Sequence, residues 1–517
     1  KSFKWRSVGP DNMGGRVADF AVLESNPDTI FAGLGTGGVW KTTNNGVTWT
    51  PVFDREAVAS VGAVAVSQSD PNIVWVGTGE ANNRNSSSWG NGVYKSTDGG
   101  KTWSNVGLQD SHDIGRIAIH PADTNTVYVA ALGHLWGGNP ERGLYKTTDG
   151  GKTWTAVLQI DADTGPAGSA TGVVDVAIDP GDPNIVYAAA YQRRRTPWNF
   201  TSGGPGSGLY KSSDAGKTWQ KLTQGLPAGP LGRIGIDIYR KNPNVVYVII
   251  ESDLGGRTRS IEERSREGGL FRSEDKGESW KRLSEVNPRP FYYSKVRVDP
   301  QNEANIYVLG ARFYISEDGG KTFRNDGGTG IHGDFHAMWI NPANSNHLLL
   351  GSDGGIYLSY DRTKSWDFVN HLAVGEFYNV NVDRRKPYFI CGGLQDNGSW
   401  CGPSATRNQD GITNADWYRI GGGDGFHVAS DPDDPDIVYA ESQGGNLFRL
   451  NRRTGERKNL KPIPKEGEAG YRFNWNSPFV ISHHDSKTLY FGGNRLFKLT
   501  ERGDRWDPIS PDLSTQD

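Results

Sequence analysis

One short pattern, Ser/Thr-x-Asp-x-Gly-x-Thr/Ser-Trp, recurs along the chain and limits what it can fold into. It occupies Ser96 to Trp103, Thr147 to Trp154, Ser212 to Trp219 and Ser273 to Trp280. Ser316 to Phe323 ends in Phe, Thr42 to Trp49 has Asn44 for Asp, and Ser359 to Trp366 has Thr363 for Gly. A decayed copy with Glu501 and Gly503 ends at Trp506. The residue types describe a hairpin turn. Asp accepts hydrogen bonds from turn amides, Gly supplies a positive φ, and the aromatic pins the turn to the core. Every copy is therefore read as structural rather than as a cation loop.

Three strand signals precede each box. In the second repeat they are Val61 to Val66, Ile73 to Gly77 and Gly92 to Lys95, and a fourth strand begins at Trp103. Four short antiparallel strands make one propeller blade. First-strand signals near Val17, Val61, Ile114, Val173, Ile234, Val296, Ala337, Tyr378, Phe426 and Phe479 give about ten blades in an all-β chain. The expectation is one ten-bladed ring of continuous repeats over residues 1–517. The alternative is a first propeller over 1–370 with part of a second over 371–517. A surplus outer-strand signal, Lys4-Trp5-Arg6, leaves the closure open. Insertions at Gln192 to Ser207 and Ser252 to Gly268 lengthen loops where propellers usually bind.

Composition excludes several functions. The 517 residues carry 69 glycines, 17 tryptophans and a net charge of −3, so no electrostatic footprint for nucleic acid is present. No apolar run approaches the ~18 residues of a membrane span. Lys1 opens on no signal-peptide pattern, and the numbering is expected to start on a mature or trimmed chain. The two cysteines, Cys391 and Cys401, flank a turn containing Asn397-Gly398, which suits a disulfide across a hairpin and an oxidising compartment.

These features resemble the sortilin/Vps10 propellers and the wider BNR, or Asp-box, repeat proteins, and most closely a group of large bacterial secreted proteins described as sortilin-like or glycosyl hydrolase-like. The likeness rests on Trp5-Arg-Ser-Val-Gly-Pro, Gly37-Gly38-Val-Trp-Lys-Thr-Thr, Tyr191-Gln-Arg-Arg-Arg-Thr, Gly392-Gly-Leu-Gln-Asp-Asn-Gly-Ser-Trp-Cys and Asn414-Ala-Asp-Trp-Tyr. It implies a portion of a longer tandem-propeller protein. Sortilin-type propellers bind peptides and proteins; similar tandem propellers in xyloglucan hydrolases cleave polysaccharide. The hydrolase pattern places one acid where this chain has Thr36, and another in a stretch that Gly423-Asp424-Gly-Phe-His427 loosely matches.

The candidate catalytic acids are thus Asp424, Asp396 and Glu80. Arg16, Arg116 and Arg233 each precede or open a first strand as Gly-Arg-Val/Ile and form a candidate anion-binding set, with pairing to a neighbouring blade as the alternative. Arg194 and Trp198, in the first insertion, are candidate contacts for sugar or peptide. His332, Asp334 and His336 share a face if the segment is a strand, and are the candidate metal ligands, although a flat strand spreads them over ~13 Å. No cofactor is expected. The favoured reading is a secreted or cell-surface protein, with the periplasm as a further location, that binds a protein, peptide or glycan, alone or within a larger extracellular complex. The competing reading is a polysaccharide-active glycoside hydrolase.

Overall fold

The computed structural model describes residues 6–85, 87–160, 170–252 and 267–515. Those residues form ten antiparallel sheets and two single-turn 3-10 segments. The ten innermost strands lie where the sequence places them: Val17–Val22, Val61–Val66, Ile114–Ile119, Thr171–Ile178, Leu231–Ile238, Lys295–Val298, Phe335–Ile340, Phe377–Val382, Gly425–Ser430 and Phe479–Ile481. Strands follow one another outwards in chain order in each sheet. Blade six has three strands plus a single bridge, Ile315 to Arg324, in place of the fourth. Blade four gains a fifth strand, Asn199–Ser202, which pairs with the long strand Val186–Thr196 and accounts for the first insertion. Most of the second insertion, residues 253–266, lies outside the described residues.

The boxes work as their chemistry dictates. In blade two, Ser96 Oγ donates to Asp98 Oδ1 at 2.8 Å and accepts from Gly100 N at 2.8 Å. Asp98 also accepts from Thr102 N at 2.9 Å and Thr102 Oγ1 at 2.6 Å. The Trp103 indole donates to Val52 O of the preceding blade at 2.7 Å, so the turn doubles as an inter-blade tie. Box glycines sit near φ +87°, as at Gly100, Gly216, Gly277 and Gly320, a region glycine enters without a Cβ clash.

The chain divides into two compact units, Gly15–Val369 and Lys1–Gly14 with Asn370–Asp517. In the larger unit the core lies between blades: Phe31, Val39 and Phe53 of blade one pack with Val64, Val74 and Tyr94 of blade two. Within this unit the strand Val17–Val22 of blade one packs against Phe335–Ile340 of blade seven. The remaining three sheets form the smaller unit. There Ile437, Tyr439 and Leu447 of blade nine pack with Phe479, Leu489 and Phe497 of blade ten.

Of the surplus outer-strand signal, Lys4 and Trp5 lie outside the described residues. The segment that follows forms no strand; it docks on blade eight, where Val8 O accepts from the Trp417 indole at 2.7 Å. Cys391 and Cys401 stand directly opposite each other in the strands Phe389–Leu394 and Gly398–Pro403 and are disulfide-bonded.

Candidate functional site

Innermost strands carry charged residues towards the ring axis of the larger unit. Asp19, Asp175 and Asp237 accept from Val64 N, Ile236 N and Val298 N of the next blade at 3.3, 3.0 and 2.7 Å. Lys295 donates to His336 O at 2.7 Å; burial, against the pull of Asp19, pushes its ammonium down to about 7.

A second layer lies where first strands begin and second strands end. Arg16 is buried and donates to Asp353 from Nε and Nη2 at 2.8 and 3.2 Å and to Glu80 from Nη1 at 3.1 Å. His336 Nε2 lies 2.9 Å from Asp353 Oδ1, and Asn82 Nδ2 lies 3.2 Å from His336 Nδ1. Burial alone would raise the Asp353 carboxyl, but Arg16 and His336 outweigh it and hold the group well below the usual carboxylate range. Beside this cluster Arg193 donates to Asp113 Oδ2 and Asn83 Oδ1, each at 2.6 Å. Burial pushes the Asp113 carboxyl up to about 6, with Arg193 pulling against it.

These partners decide several sequence expectations. Glu80 is a buried ion-pair partner of Arg16, not an exposed acid. Arg16, Arg116 and Arg233 do not form one anion site. Arg16 is spent on Asp353 and Glu80, Arg233 donates to Ala81 O at 3.0 Å, and Arg116 pairs with Asp19 at 3.3 Å. Pairing across blades, the alternative reading, satisfies the buried guanidinium groups of Arg16 and Arg233 and the half-buried one of Arg116. Arg194 and Trp198 are exposed on the blade-four hairpin, in keeping with their place in an insertion, with Trp198 84% exposed.

His332, Asp334 and His336 do not converge. The strand starts only at Phe335, and Asp334 at φ +61° breaks the alternation that would align them. His336 turns to Asp353, Asp334 accepts from the Tyr293 hydroxyl, and His332 Nδ1 lies 3.0 Å from Gly333 O. Among the described residues, the His, Cys, Asp and Glu side chains close enough to share an ion are Asp110, His112 and His134.

In the smaller unit, by contrast, the Asp424 carboxylate meets the backbone of the turn that carries Asp396. Asp396, in the turn closed by the disulfide-bearing strands, donates from its backbone N to Asp424 Oδ1 at 2.7 Å. The Trp475 indole donates to Asp424 Oδ2 at 3.0 Å while the ring remains 58% exposed. Asp396 and Asp424 are both half-buried, beside the exposed Gly422 and Gly423. A carboxylate fixed by two donors beside an open indole face can hold a sugar ring by stacking and address its oxygens at the same time. Nearby, Glu441 is fully buried and accepts from Gly445 N and Ser477 N at 3.2 and 3.3 Å. Burial pushes its carboxyl up to about 8. Trp475 and Glu441 carry no signal in the sequence, because blades nine and ten have lost the strong boxes that mark the repeat.

Several known proteins share parts of this sequence or its fold. A family described as sortilin, neurotensin receptor 3 (Sortilin-Vps10), matches residues 91–247. Xyloglucanase Xgh74A of Acetivibrio thermocellus is 25% identical over 364 residues, covering 62% of this chain and 39% of that protein. A xyloglucanase of Hypocrea jecorina is 24% identical over 360 residues, with 62% and 40% covered. The chain resembles both groups. It spans 39% and 40% of the length of these two curated relatives. In fold it is similar to the GH74 xyloglucanase of Xanthomonas campestris, with a TM-score of 0.58 and 17% identity over 99% of this chain and 82% of the other. It is also similar to PorZ, a surface component of the type-IX secretion system of Porphyromonas gingivalis. There the TM-score is 0.52 and identity 14%, over 98% of this chain and 60% of the other. No helix among the described residues is long and apolar enough to cross a membrane.

Proposed function

We propose that this protein acts on an extracellular polysaccharide of the xyloglucan type as a glycoside hydrolase, with Asp424 and Asp396 as its reacting carboxylates and Trp475 as the adjoining sugar platform. The observation that carries this reading is the Trp475–Asp424–Asp396 contact chain: an exposed indole and two carboxyl-bearing turns brought together from blades ten, nine and eight. Glycosidases use two carboxyl groups, one protonating the leaving oxygen and the other activating water or attacking the anomeric carbon. Two acids on adjacent loops, beside an aromatic face, supply that set. The similarity to xyloglucanases supports the substrate class.

One observation favours binding without cleavage: Thr36 stands where the hydrolase pattern has its blade-one acid. The test is to incubate the full chain with xyloglucan and with unsubstituted β-glucans, following new reducing ends and retention on substrate-containing gels. Release that disappears in Asp424→Asn and Asp396→Asn supports hydrolysis. Retention that is lost in Trp475→Ala without any release supports the binding reading. Neither release nor retention would overturn both.

A further inference from the structure

Far from that contact chain in sequence, blades two and three carry a cluster with different chemistry. Asp110 and His112 lie on the loop before the strand Ile114–Ile119, and His134 follows the strand Val127–Ala131. One ligand atom from each lies within 4.8 Å of the others. His134 Nε2 is 2.9 Å from Asp110 Oδ1, and the imidazoles of His112 and His134 stack with centroids 3.5 Å apart.

The backbone holds these groups in a fixed and partly strained arrangement. His112 sits at φ +55°, a left-handed conformation that costs a non-glycine residue roughly 1–2 kcal/mol. It is locked there by Gly90 N, which donates to His112 O at 2.8 Å, and by Gly79, where a Cβ would lie 1.6 Å from that oxygen. Asn139 is buried and orients both other ligands. It accepts from His134 N at 3.0 Å and donates to Asp110 O and Oδ2 at 2.6 and 3.3 Å. The buried Arg142 clamps the same loop by donating to the carbonyls of Leu132, His134 and Gly137. Strain held by surrounding structure, with an amide aligning a carboxylate, is how proteins prepare ligand sets for metals.

A cavity of about 240 Å³ adjoins the cluster, lined by His112 and His134 together with Ser87, Trp89, Asp113 and Trp136. Trp89 stacks on His112 at 5.5 Å and both tryptophans are exposed.

We propose that Asp110, His112 and His134 bind one divalent transition-metal ion, with an open coordination position available to a ligand in the Trp89–Trp136 cavity. Two imidazoles and one carboxylate suit zinc and its neighbours better than magnesium or calcium, which prefer oxygen. Tetrahedral bonds of ~2.0–2.1 Å place ligand atoms about 3.3 Å apart, and the present ligand atoms all lie within 4.8 Å of one another. The site is built within the seven-bladed unit and does not depend on the hydrolase reading.

The test uses the full chain, treated with chelator and then titrated with zinc chloride alone by calorimetry. One ion per chain is expected, with affinity falling by at least about tenfold in His112→Ala, His134→Ala and Asp110→Asn and unchanged in His483→Ala. X-ray absorption of the wild-type chain loaded with Co²⁺ should show two imidazoles in the coordination shell, a readout that needs no variant to fold. Absence of stoichiometric zinc, binding that survives both histidine substitutions, or fewer than two imidazoles around Co²⁺ would overturn the assignment.

Discussion

Arg16 reaches from blade one to Asp353 of blade seven, Nε to Oδ1 at 2.8 Å, across 337 positions of sequence. Ring closure thus carries a buried ion pair at the seam, in addition to the apolar contact between the two innermost strands. His336 Nε2 approaches the same oxygen, at 2.9 Å.

Asp353→Asn should therefore destabilise the seven-bladed unit by about 1.5–3 kcal/mol at pH 7, because Arg16 would keep Glu80 as its one ionised partner and lose two charge-assisted hydrogen bonds. The pH dependence has a defined sign. Asp353 is held well below its ordinary value, so its stabilisation is present above pH ~4 and is lost as pH falls through the folded value. Urea denaturation at pH 7 and pH 3 checks this: the wild type should lose stability between the two, and the variant should lose less.

The repeats make the blades legible in the amino-acid sequence. Alternating apolar residues near Val17, Val61 and the later equivalents locate all ten innermost strands, and Ser96, Asp98 and Gly100 bond as their types require. Closure is not legible there, because it depends on a pair such as Arg16 and Asp353 that no local pattern links. Equivalence among Arg16, Arg116 and Arg233 is visible, but their partners are not; each is satisfied by a different acid or carbonyl. The set His332, Asp334 and His336 fails for a local reason, since period-two alternation does not extend to residues that precede the strand. Asp110, His112 and His134 become neighbours only when the chain folds their two loops together.

Thr363 shows what a lost box glycine costs. It occupies φ +71°, where Gly100, Gly216 and Gly277 sit at +87°, and it is buried. A β-branched residue there carries strain of roughly 1–2 kcal/mol, against which glycine's extra unfolded-state freedom costs about 0.4–1 kcal/mol. Thr363→Gly should stabilise the seven-bladed unit by about 0.5–1 kcal/mol, seen as a higher denaturation midpoint with an unchanged slope. A lower midpoint would mean that Thr363 makes contacts worth more than its strain.

Arg193 is the buried member of an arginine run whose next residue, Arg194, is exposed. Arg193→Met keeps the volume but leaves Asp113 without its cation, at a cost of about 3–5 kcal/mol at pH 7. Asp113 already has a carboxyl raised to about 6, so its contribution to stability is largest at low pH and is lost as pH rises through that value. The penalty of the substitution should accordingly shrink at pH 5, where a neutral Asp113 no longer needs Arg193. Parallel unfolding curves for wild type and variant at the two pH values provide the comparison.

Glu441 gives the clearest pH signature in the smaller unit. Its carboxyl is raised to about 8 by burial, which two backbone amides only partly offset. The unfolded chain releases this proton near the ordinary glutamate value of about 4.3, the folded chain only near 8. Stability associated with Glu441 is therefore fully present below pH ~4 and declines as pH rises towards 8. Glu441→Gln removes the titration while keeping an oxygen for Gly445 and Ser477. One pKa unit is worth ~1.4 kcal/mol, and solvent screening reduces what the whole shift delivers, so a gain of about 1–2 kcal/mol is expected at pH 8. At pH 4 the two proteins should unfold together. Equal stabilities at both pH values would show that Glu441 ionises in the folded chain as it does in the unfolded one.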